Sequence, residues 1–560
     1  MIESSMPSLP IATSAHPMSR RQRQILLLTA AVSSSAGLAV ELLLGTLASY
    51  LVGNQALAYG VAVGGFLAAM GLGAYLSRFI AMSGSDRDQQ LRLQTTLVWI
   101  ELAIAPLSTV MPLFLFALFV IEGPFWLALF LATIILGSLA GMELPILTRL
   151  LEQDEGLKDA LAGALTLDYL GALVGSLALP ILLLPWLGLF PSAAVISALP
   201  ALMVVCLAIA FPHLRRWGRV GLVLGLGLLL LAPAMVPLSD RLENTLYKAP
   251  VISRIQSPYQ RIVLTRRAND VRLFLDGDLQ FSSLDEYRYH EALVHPALSA
   301  NRYLRSGAAP QSGGSPQAQP VALTTAVPTP SRRVLILGAG DGLALREVLK
   351  WEDVARVVLI DLDAAVVKLA RRHPFLAQLN GKAYDDPRVE VIQGDAFIQV
   401  PQLTEQFDVI IADFPDPDRD AIAKLYAHGF YQRVLSRLAP DGVIVTQASS
   451  PFFAPKAFAC VAATLESVGL TVYPYVVDVP SFGLWGFVMG SRSPLPLSPD
   501  VPAATRPLTL PVPTQFLTVA TLHNLFNLSK DIRMGNVEIN RLSHPVIVRY
   551  QADSRWEVYD

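Results

Sequence analysis

The chain of 560 residues is 53% hydrophobic and only 16% charged, whereas about a quarter of the residues in a typical soluble chain are charged. Its formal net charge of −2 excludes a protein that binds nucleic acid through bulk positive charge. Its two cysteines, Cys206 and Cys460, are too few and too far apart for a disulfide framework or a cysteine metal site, and no metal is predicted. The composition indicates a membrane protein with a soluble part.

Apolar runs dominate the chain before residue 238, and each is close to the roughly 20 residues that a helix needs to cross a bilayer. The runs are Ile25–Leu51, Leu57–Ile80, Leu97–Val120, Phe125–Leu147, Leu161–Leu187, Pro191–Phe211 and Val220–Val236. The last is the shortest and contains Pro233 and Pro237. We predict an N-terminal segment over residues 1–24 and a transmembrane domain of about seven helices over residues 25–237.

Basic residues flank these runs on one side only. Arg20, Arg21 and Arg23 precede the first run, and further lysines or arginines follow the second, fourth and sixth runs. Because basic loops stay in the cytoplasm, the segment 1–24 is predicted to be cytoplasmic. Seven crossings from there would place the rest of the chain outside the cell membrane.

Four carboxylates interrupt the apolar runs: Glu41, Glu101, Glu143 and Asp168. A charge at the bilayer centre costs roughly 3 kcal/mol on insertion scales, so such residues are candidates for a functional site. The alternative is that they lie at the interface, or stay protonated and bond a neighbouring helix. The glycine pairs Gly60–Gly64, Gly137–Gly141 and Gly171–Gly175 predict close helix packing.

After residue 238 the composition is that of a soluble protein. Pro310–Ser331 is rich in Pro, Ser, Gly and Ala and has no charge, so residues 305–331 are predicted to be a flexible linker. A second Pro-rich break separates a C-terminal extension, residues 493–560. Short β-branched runs lie between the breaks at Val334–Leu337, Val357–Ile360, Val389–Ile392, Val409–Ala412 and Val443–Thr446. They predict an α/β, doubly wound, Rossmann-like core over residues 332–492.

Glycines and carboxylates follow the first three strands of this core. The first strand leads into Gly338–Gly342 (GAGDG) and a helix from about Leu343, where the backbone can approach a ligand. The second strand ends at Asp361, 21 residues after Gly340, the spacing that places a carboxylate on ribose hydroxyls. Gly394-Asp395 follows the third strand. The glycine turn alone would also fit a dinucleotide, but together these features predict an adenosine-containing ligand.

The fourth strand is followed by Asp413-Phe414-Pro415-Asp416-Pro417. Ligands of such sheets bind outside the carboxyl ends of the strands, so Asp413 and Asp416 are expected to face the ligand together with Asp341. Three carboxylates in one crevice raise one another's pKa values and attract a cation. The alternative is structural, with Asp416 forming a turn and Asp341 capping a helix.

Several motifs occur in an order that is typical of one enzyme family. They are SPYQRI (Ser257–Ile262), LFLDGDLQFSSLDEYRYHEALVHPAL (Leu273–Leu298), GAGDGLALREVLKW (Gly338–Trp351), LIDLD (Leu359–Asp363), DPRVEVIQGDAF (Asp386–Phe397), FDVIIADFPDP (Phe407–Pro417) and FYQRVLSRLAPDGVIVTQASSP (Phe430–Pro451). Residues 250–491 resemble the spermidine synthase (polyamine aminopropyltransferase) family, and the multi-span region resembles its membrane-fused bacterial subgroup. The resemblance implies a small β-domain with a lead-in helix over residues 250–304, before a methyltransferase-type core.

The resemblance implies that decarboxylated S-adenosylmethionine is a co-substrate, without any prosthetic group, and that its aminopropyl group moves to a small polyamine such as putrescine. Methylthioadenosine would be the second product. In the donor site, Asp341 would pair with the aminopropyl ammonium, Asp361 with the ribose hydroxyls and Asp395 with the adenine. The remaining contacts to the donor would come from Gln260, Gly338, Gly340 and Gly394.

The same resemblance implies the acceptor side of the site. Asp413 would accept the proton, Asp416 would hold the amine, and Tyr289 and His290 would line the amine channel. The sequence departs from the family pattern at two places on the acceptor side. Asp418–Asp420 (DRD) stands where soluble members have a closing loop, and Phe482 stands where many members have an acceptor-binding tyrosine.

The donor is made in the cytosol, so we expect a protein of the cell (inner) membrane with a cytoplasmic catalytic domain. This expectation conflicts with seven crossings unless Val220–Val236 does not span. The resemblance also suggests a homodimer or homotetramer. The rival interpretation is a polyamine transporter or sensor with a weakly active or inactive synthase-like domain. An ordinary methyltransferase is disfavoured, because Asp341 and Asp416 suit a cationic amine donor and acceptor.

Overall fold

The computed structural model describes residues 18–52, 55–306, 331–497, 501–502, 506–532 and 534–552. Within the chain, Met1–Val251 and Ile252–Asp560 form two compact units, which we call the helical unit and the catalytic unit. Most of the predicted linker 305–331, most of the segment 1–24 and parts of the extension 493–560 lie outside the described residues.

The described part of the helical unit consists of long helices joined by short turns. Their bounds are α1 Arg20–Val52, α2 Gln55–Ser77, α3 Asp86–Val120, α4 Phe125–Glu155, α5 Leu157–Ala178, α6 Leu184–Leu187, α7 Leu189–Ala210 and α8 Arg215–Leu246. A π-helical turn, Leu179–Leu183, joins α5 to α6. Seven helical stretches, with α5 and α6 counted as one, are long and apolar enough to cross a membrane. The run Val220–Val236, the shortest of the seven in the sequence, lies inside the continuous helix α8.

Glycines let two pairs of these helices approach at backbone contact. A Cβ at Gly141 of α4 would lie 2.1 Å from the Met70 carbonyl oxygen of α2. A Cβ at Gly171 of α5 would lie 1.9 Å from the Ala31 carbonyl oxygen of α1. Close packing is thus confirmed for the predicted pairs Gly137–Gly141 and Gly171–Gly175. It was wrong for Gly60–Gly64, where a Cβ on either residue would meet nothing within 4 Å.

Two of the four predicted carboxylates, Glu101 and Glu143, line the same cavity in the interior of the helical unit. Ser33 of α1 donates a hydrogen bond of 2.5 Å to Glu101 of α3, and both side chains line a cavity of about 10 Å³ together with Ser108 and Glu143. Such a cavity has room for a single water molecule. Glu41 is also buried, whereas Asp168 is half-exposed.

The catalytic unit begins with a small antiparallel sheet. Its strands are β1 Val251–Gln256, β2 Arg261–Arg267, β3 Asp270–Leu275 and β4 Asp278–Ser282, in that spatial order. Helix α9, Glu286–Arg305, follows. One face of the sheet packs its alternating apolar residues, such as Ile262 and Leu264, into a core with Val366 and Leu369 of the larger domain.

A seven-stranded sheet forms the centre of the catalytic unit, in the order β10-β11-β9-β8-β5-β6-β7. The strands are β5 Arg332–Gly338, β6 Val354–Asp361, β7 Val389–Gln393, β8 Phe407–Asp413, β9 Leu438–Gln447, β10 Thr471–Val479 and β11 Gly483–Ser491. The first five are parallel and contain the five predicted strands, so the predicted Rossmann-like core is confirmed. Strands β10 and β11 are antiparallel and were not predicted.

Helices cover both faces of this sheet. Alternate residues of each buried strand therefore enter two different hydrophobic cores, one on each face. The helices are α10 Leu343–Leu349, α11 Ala364–Arg372, α12 Pro374–Leu379, α13 Ala396–Gln399, α14 Asp420–Ala423, α15 His428–Leu435, α16 Pro455–Glu466, α17 Val519–Asn524 and α18 Val546–Gln551. The last two belong to the C-terminal extension. Leu522 of α17 joins one core and Ile547 of α18 the other.

Candidate active site

The site forms where the strand order reverses, between β5 and β8. Gly338 at the end of β5 is in register with Asp413 at the end of β8, and ligands of open α/β sheets bind at such a switch point. Gly338 has a φ of +81°, and a Cβ there would lie 2.1 Å from the Asp413 carbonyl oxygen. Only glycine therefore lets the two strand ends meet.

The glycine-rich turn positions the first predicted carboxylate. Asp341 Oδ1 accepts a hydrogen bond of 2.8 Å from the Leu343 amide, the first amide of α10. The N-cap residue itself is Gly342, whereas the structural alternative predicted Asp341. Burial raises the pKa of Asp341, and the nearby charge of His290 opposes this rise. A Cβ at Gly340 would lie 2.6 Å from Asp361 Oδ2, which places the turn directly beside the second carboxylate.

Asp361 lies at the end of β6, where it accepts a 2.8 Å hydrogen bond from the Asp363 amide. Burial raises the pKa of Asp361 to about 6. Asp363 was not singled out by the sequence analysis, although its side chain organises this edge. It accepts hydrogen bonds from Ser257 Oγ at 2.6 Å and from Gln260 Nε2 at 3.1 Å. The predicted donor-binding Gln260 is thus oriented by a buried carboxylate.

Gly394 and Asp395 follow β7 at the same edge of the sheet. The Gly394 amide donates to the Asp361 carbonyl oxygen at 2.9 Å, which brings the turn beside the ribose-binding candidate. Asp395 caps α13 by accepting from the Phe397 amide at 2.9 Å, and its other oxygen pairs with Lys424 Nζ at 2.6 Å. Both oxygens of the adenine-binding candidate therefore have protein partners.

Asp413 and Tyr289 are in direct contact. Tyr289 Oη of α9 donates a 2.6 Å hydrogen bond to Asp413 Oδ1. Burial raises the pKa of Asp413 to about 6, against the opposing influence of the charge on His290. A carboxylate with this pKa is ionised at neutral pH and still takes a proton readily, as a general base requires.

His290 carries a positive charge into this crevice. Burial alone would lower its pKa, but the hydrogen bond to Glu286 (2.9 Å to Nδ1) and the Glu286 charge raise the pKa to about 9. Glu286 is held in turn by two hydrogen bonds from Arg346, of 2.8 and 2.9 Å. The sequence analysis missed Glu286 and Arg346, although the spacing of four residues between Glu286 and His290 on a helix is a usable signal.

Asp416 is held by three side chains, none of which was predicted. Ser449 Oγ and Gln447 Nε2 lie 2.7 and 3.2 Å from Oδ1, and Gln551 Nε2 donates to Oδ2 at 2.8 Å. Burial raises the pKa of Asp416 to about 6, and these hydrogen bonds limit the rise. Gln447 ends β9, so the rule that ligands bind at carboxyl ends of strands could have identified it.

The two departures from the family pattern form parts of the wall. Arg419, in the segment that replaces the closing loop, forms an ion pair of 2.9 Å with Asp276 of the β3–β4 turn. Phe482 packs edge-on against Tyr289 with ring centroids 6.2 Å apart, and lies 5.4 Å from Trp485. This part of the crevice wall is therefore aromatic, and Phe482 has no hydroxyl at the position where the resemblance implied a tyrosine in many family members.

Comparisons with known proteins give a consistent result. The family model of the spermine/spermidine synthase domain matches residues 286–499. Polyamine aminopropyltransferase 1 of Ralstonia nicotianae is 38% identical over 558 residues, which are 97% of this chain and 97% of that protein. The polyamine aminopropyltransferase of Leptospira interrogans is 36% identical over 530 residues, covering 94% of this chain and 97% of its own. A solved spermidine synthase in complex with the transition-state analogue AdoDATO covers 50% of this chain and 88% of its own, at 24% identity and a TM-score of 0.41.

Proposed function

Because the chain belongs to the spermine/spermidine synthase family, it is an aminopropyltransferase, and we propose that it moves the aminopropyl group of decarboxylated S-adenosylmethionine to putrescine. Spermidine and methylthioadenosine would be the products. The observation that carries the proposal is the contact between Tyr289 and Asp413 beside the glycine turn at Gly338. It supports Asp413 as the general base, at the point where the donor and the amine would meet.

The donor would lie along the carboxyl ends of β5, β6 and β7. We assign the ribose hydroxyls to Asp361 and a nucleoside contact to Gln260, with Gly338, Gly340 and Gly394 keeping the backbone close. Asp395 would lie at the adenine end. Asp341 would pair with the aminopropyl ammonium and repel the carboxylate that ordinary S-adenosylmethionine retains, so one side chain would select the decarboxylated donor.

The reaction needs alignment and the removal of one proton. An alkylammonium has a pKa of about 10 and cannot attack until it has lost a proton, which Asp413 would accept. The free amine then bonds to the propyl carbon, the carbon–sulfur bond breaks, and sulfur keeps the electron pair as a neutral thioether. The sulfonium is already a good leaving group, so holding the amine in line supplies most of the remaining rate.

The acceptor ammonium would be held by Asp416, and Tyr289 and His290 would line its approach. The charge on His290 lowers the pKa of Asp413 relative to what burial alone would give. We infer that His290 keeps the base ionised at neutral pH. The aromatic wall of Phe482 and Trp485 would contact the methylene chain of the amine.

We further propose that the helical unit anchors the enzyme in the cell membrane, with the catalytic unit in the cytoplasm. The helices that are long and apolar enough to cross support the anchor. The cytosolic origin of the donor supports the cytoplasmic side, and this side requires that the run Val220–Val236 in α8 does not cross. The protein should stay in the membrane fraction after washing with alkaline carbonate. Reporters fused after residue 560 should be active in the cytoplasm. Activity only in the periplasm would instead favour the positive-inside count of seven crossings.

The activity is tested by methylthioadenosine release from the full-length protein in detergent. Putrescine, cadaverine, agmatine and spermidine are offered separately with the decarboxylated donor. Asp413→Asn should lower turnover by about 10²–10⁴-fold and leave donor binding unchanged. Asp441→Asn, which alters an exposed carboxylate of β9, is the matched control. No release with any amine would contradict the proposal, and release with another amine alone would replace putrescine as the acceptor.

A further inference from the structure

The described residues 506–532 and 534–552, which we call the C-terminal segment, contact both faces of the main sheet. Leu517 and Leu522 enter the core on one side, and Val546 and Ile547 enter the core on the other. The segment is thus part of the folded catalytic unit. Two of its polar contacts lead directly to the acceptor side of the crevice.

The first contact fixes the turn of α9 that carries Tyr289 and His290. The next residue, Glu291, is fully buried. Its carboxylate accepts backbone hydrogen bonds from Gln515, Phe516 and Leu517, at 2.6, 3.0 and 2.8 Å. A buried carboxylate is costly unless such donors satisfy it. The C-terminal segment therefore supplies the bonds that allow a charge inside α9, next to the residues that line the amine channel.

The second contact reaches Asp416 itself. Gln551, the last residue of α18, is 8% exposed and donates through Nε2 to Asp416 Oδ2 at 2.8 Å. Its Oε1 lies 2.9 Å from Ser449 Oγ, which is also 2.7 Å from Asp416 Oδ1. The single hydroxyl proton of Ser449 can be donated to only one of these two acceptors at a time. When it is donated to Asp416, Ser449 and Gln551 each hold one oxygen of the carboxylate.

The chemistry of this set differs from that at Asp395. Asp395 pairs with the cation of Lys424, whereas the side chains that donate to Asp416 are one hydroxyl and two amides. Neutral donors orient a carboxylate without cancelling its charge. Among the residues that the structure describes, Asp416 has no ion pair, so its charge is available to a cation.

We propose that Gln551 is a positioning residue of the acceptor site, and that the C-terminal segment completes the place where a primary alkylammonium binds. The inference rests on the proposed function, because it takes Asp416 to be the group that holds the acceptor. Gln551 acts through Asp416: it fixes one oxygen so that the carboxylate can present its charge towards the amine.

The test compares Gln551→Met with Arg549→Met in the full-length protein. Methionine keeps the length of glutamine and removes the amide that donates to Asp416, while Arg549 lies on the same helix, is 67% exposed and pairs with Glu538. A hydrogen bond to a charged group is worth a factor of about 10–100 in binding. The KM for putrescine should rise by about that factor in Gln551→Met, with the KM for the donor unchanged and kcat changed much less. Arg549→Met should leave all three constants unchanged.

The pH profile gives a readout that a purely structural role would not move. Loss of a donor to the ionised form raises the pKa of Asp416 further, so the acid limb of kcat/KM for putrescine should shift to higher pH. The other titratable groups that face Asp416 are Asp418, Asp278, Tyr289 and Tyr426. All four remain in both variants, so a shift in Gln551→Met alone reports the lost bond.

The outcomes separate the two proposals. An active wild type with an unchanged putrescine KM in Gln551→Met overturns the role of Gln551 and leaves the proposed function standing. If the wild type binds putrescine by calorimetry without turning it over, the proposed function fails, and weaker binding by Gln551→Met still supports the inference. If Gln551→Met does not fold, Gln551→Asn replaces it. Its amide is one methylene too short to reach Asp416, and an unchanged putrescine affinity in that variant overturns the inference.

Discussion

At the scale of single residues, the carboxylates of the crevice set the pH range of activity. Burial raises the pKa values of Asp361, Asp413 and Asp416 to about 6. Because a raised carboxylate pKa keeps the protonated form to higher pH, the proposed base Asp413 and the proposed amine-binding Asp416 should both be protonated as the pH falls through about 6. We expect kcat/KM for the amine to fall at least tenfold per pH unit below that value. Rates measured between about pH 5 and pH 8 check this, and a flat profile would contradict it.

The His290–Glu286 pair makes a second prediction, about stability. The pKa of His290 is raised to about 9, so its contribution is fully present below the unfolded value of about 6.5 and is lost as the pH rises through about 9. His290→Gln should lower the free energy of unfolding by about 1–3 kcal/mol at neutral pH. The difference from the wild type should shrink towards pH 10. Thermal unfolding of both proteins at the two pH values measures it, and a difference that does not depend on pH would refute the assignment.

The sequence predicted the site residues whose positions depend on strand ends. Asp361 and Asp413 each end a β-branched run, and parallel strands bring those ends to one edge of the sheet. Gln551 could not be predicted in this way. It is separated from Asp416 by 135 positions and has no motif around it, so only the packing of the C-terminal segment brings the two side chains together.

At the scale of elements, the turn after β5 requires glycine for two separate reasons, and a matched pair of substitutions separates them. Gly338 and Gly469 both have positive φ, but a Cβ at Gly338 would meet the Asp413 carbonyl oxygen at 2.1 Å, whereas one at Gly469 would meet nothing within 4 Å. Gly469→Ala should therefore cost only the backbone term, about 1–2 kcal/mol of unfolding free energy. Gly338→Ala should cost clearly more and abolish methylthioadenosine binding. Denaturant unfolding measures the loss of stability in both variants, and titration calorimetry measures methylthioadenosine binding. Equal losses of unfolding free energy would show that the contact between the new Cβ and the Asp413 carbonyl oxygen is relieved.

The parallel strands were predictable because buried β-branched runs bounded by turn residues identify them. The antiparallel strands β10 and β11 were missed. Pro474 interrupts β10, and proline argues against a central strand because it cannot donate to the ladder. The structure resolves the difficulty, since β10 lies at the edge of the sheet and tolerates the proline.

At the scale of the whole molecule, composition predicted two parts but not the boundary between them. The apolar run ends near residue 238, yet α8 continues to Leu246 and the helical unit ends at Val251. The last turns of α8 are polar (LSDRLENTL). The apolar composition ends where the surroundings of the chain become polar, near residue 238. Backbone hydrogen bonds continue the helix beyond that point to Leu246, so the end of the apolar run and the end of the helix differ.

Separate cores in the two units predict separate unfolding transitions. The buried clusters of the helical unit contain only residues before 251, and those of the catalytic unit only later ones. Scanning calorimetry in detergent should show two transitions. Methylthioadenosine at 100 times its Kd should stabilise one of them by about 2.7 kcal/mol and leave the other unchanged. A single transition that shifts as a whole would show that the units unfold together.

The position of Gln551 late in the chain also affects the order in which the parts of the site are synthesised. The residues assigned to the donor, from Gln260 to Asp395, are all synthesised before Asp413, and Gln551 is synthesised after every strand of the main sheet. On a translating ribosome, the residues proposed to bind the donor are therefore made well before Gln551, the residue proposed to complete the amine site. By then all seven apolar helices have long left the ribosome. If the helical unit inserts into a membrane as proposed, the order of synthesis would give it time to do so before the proposed amine site is complete.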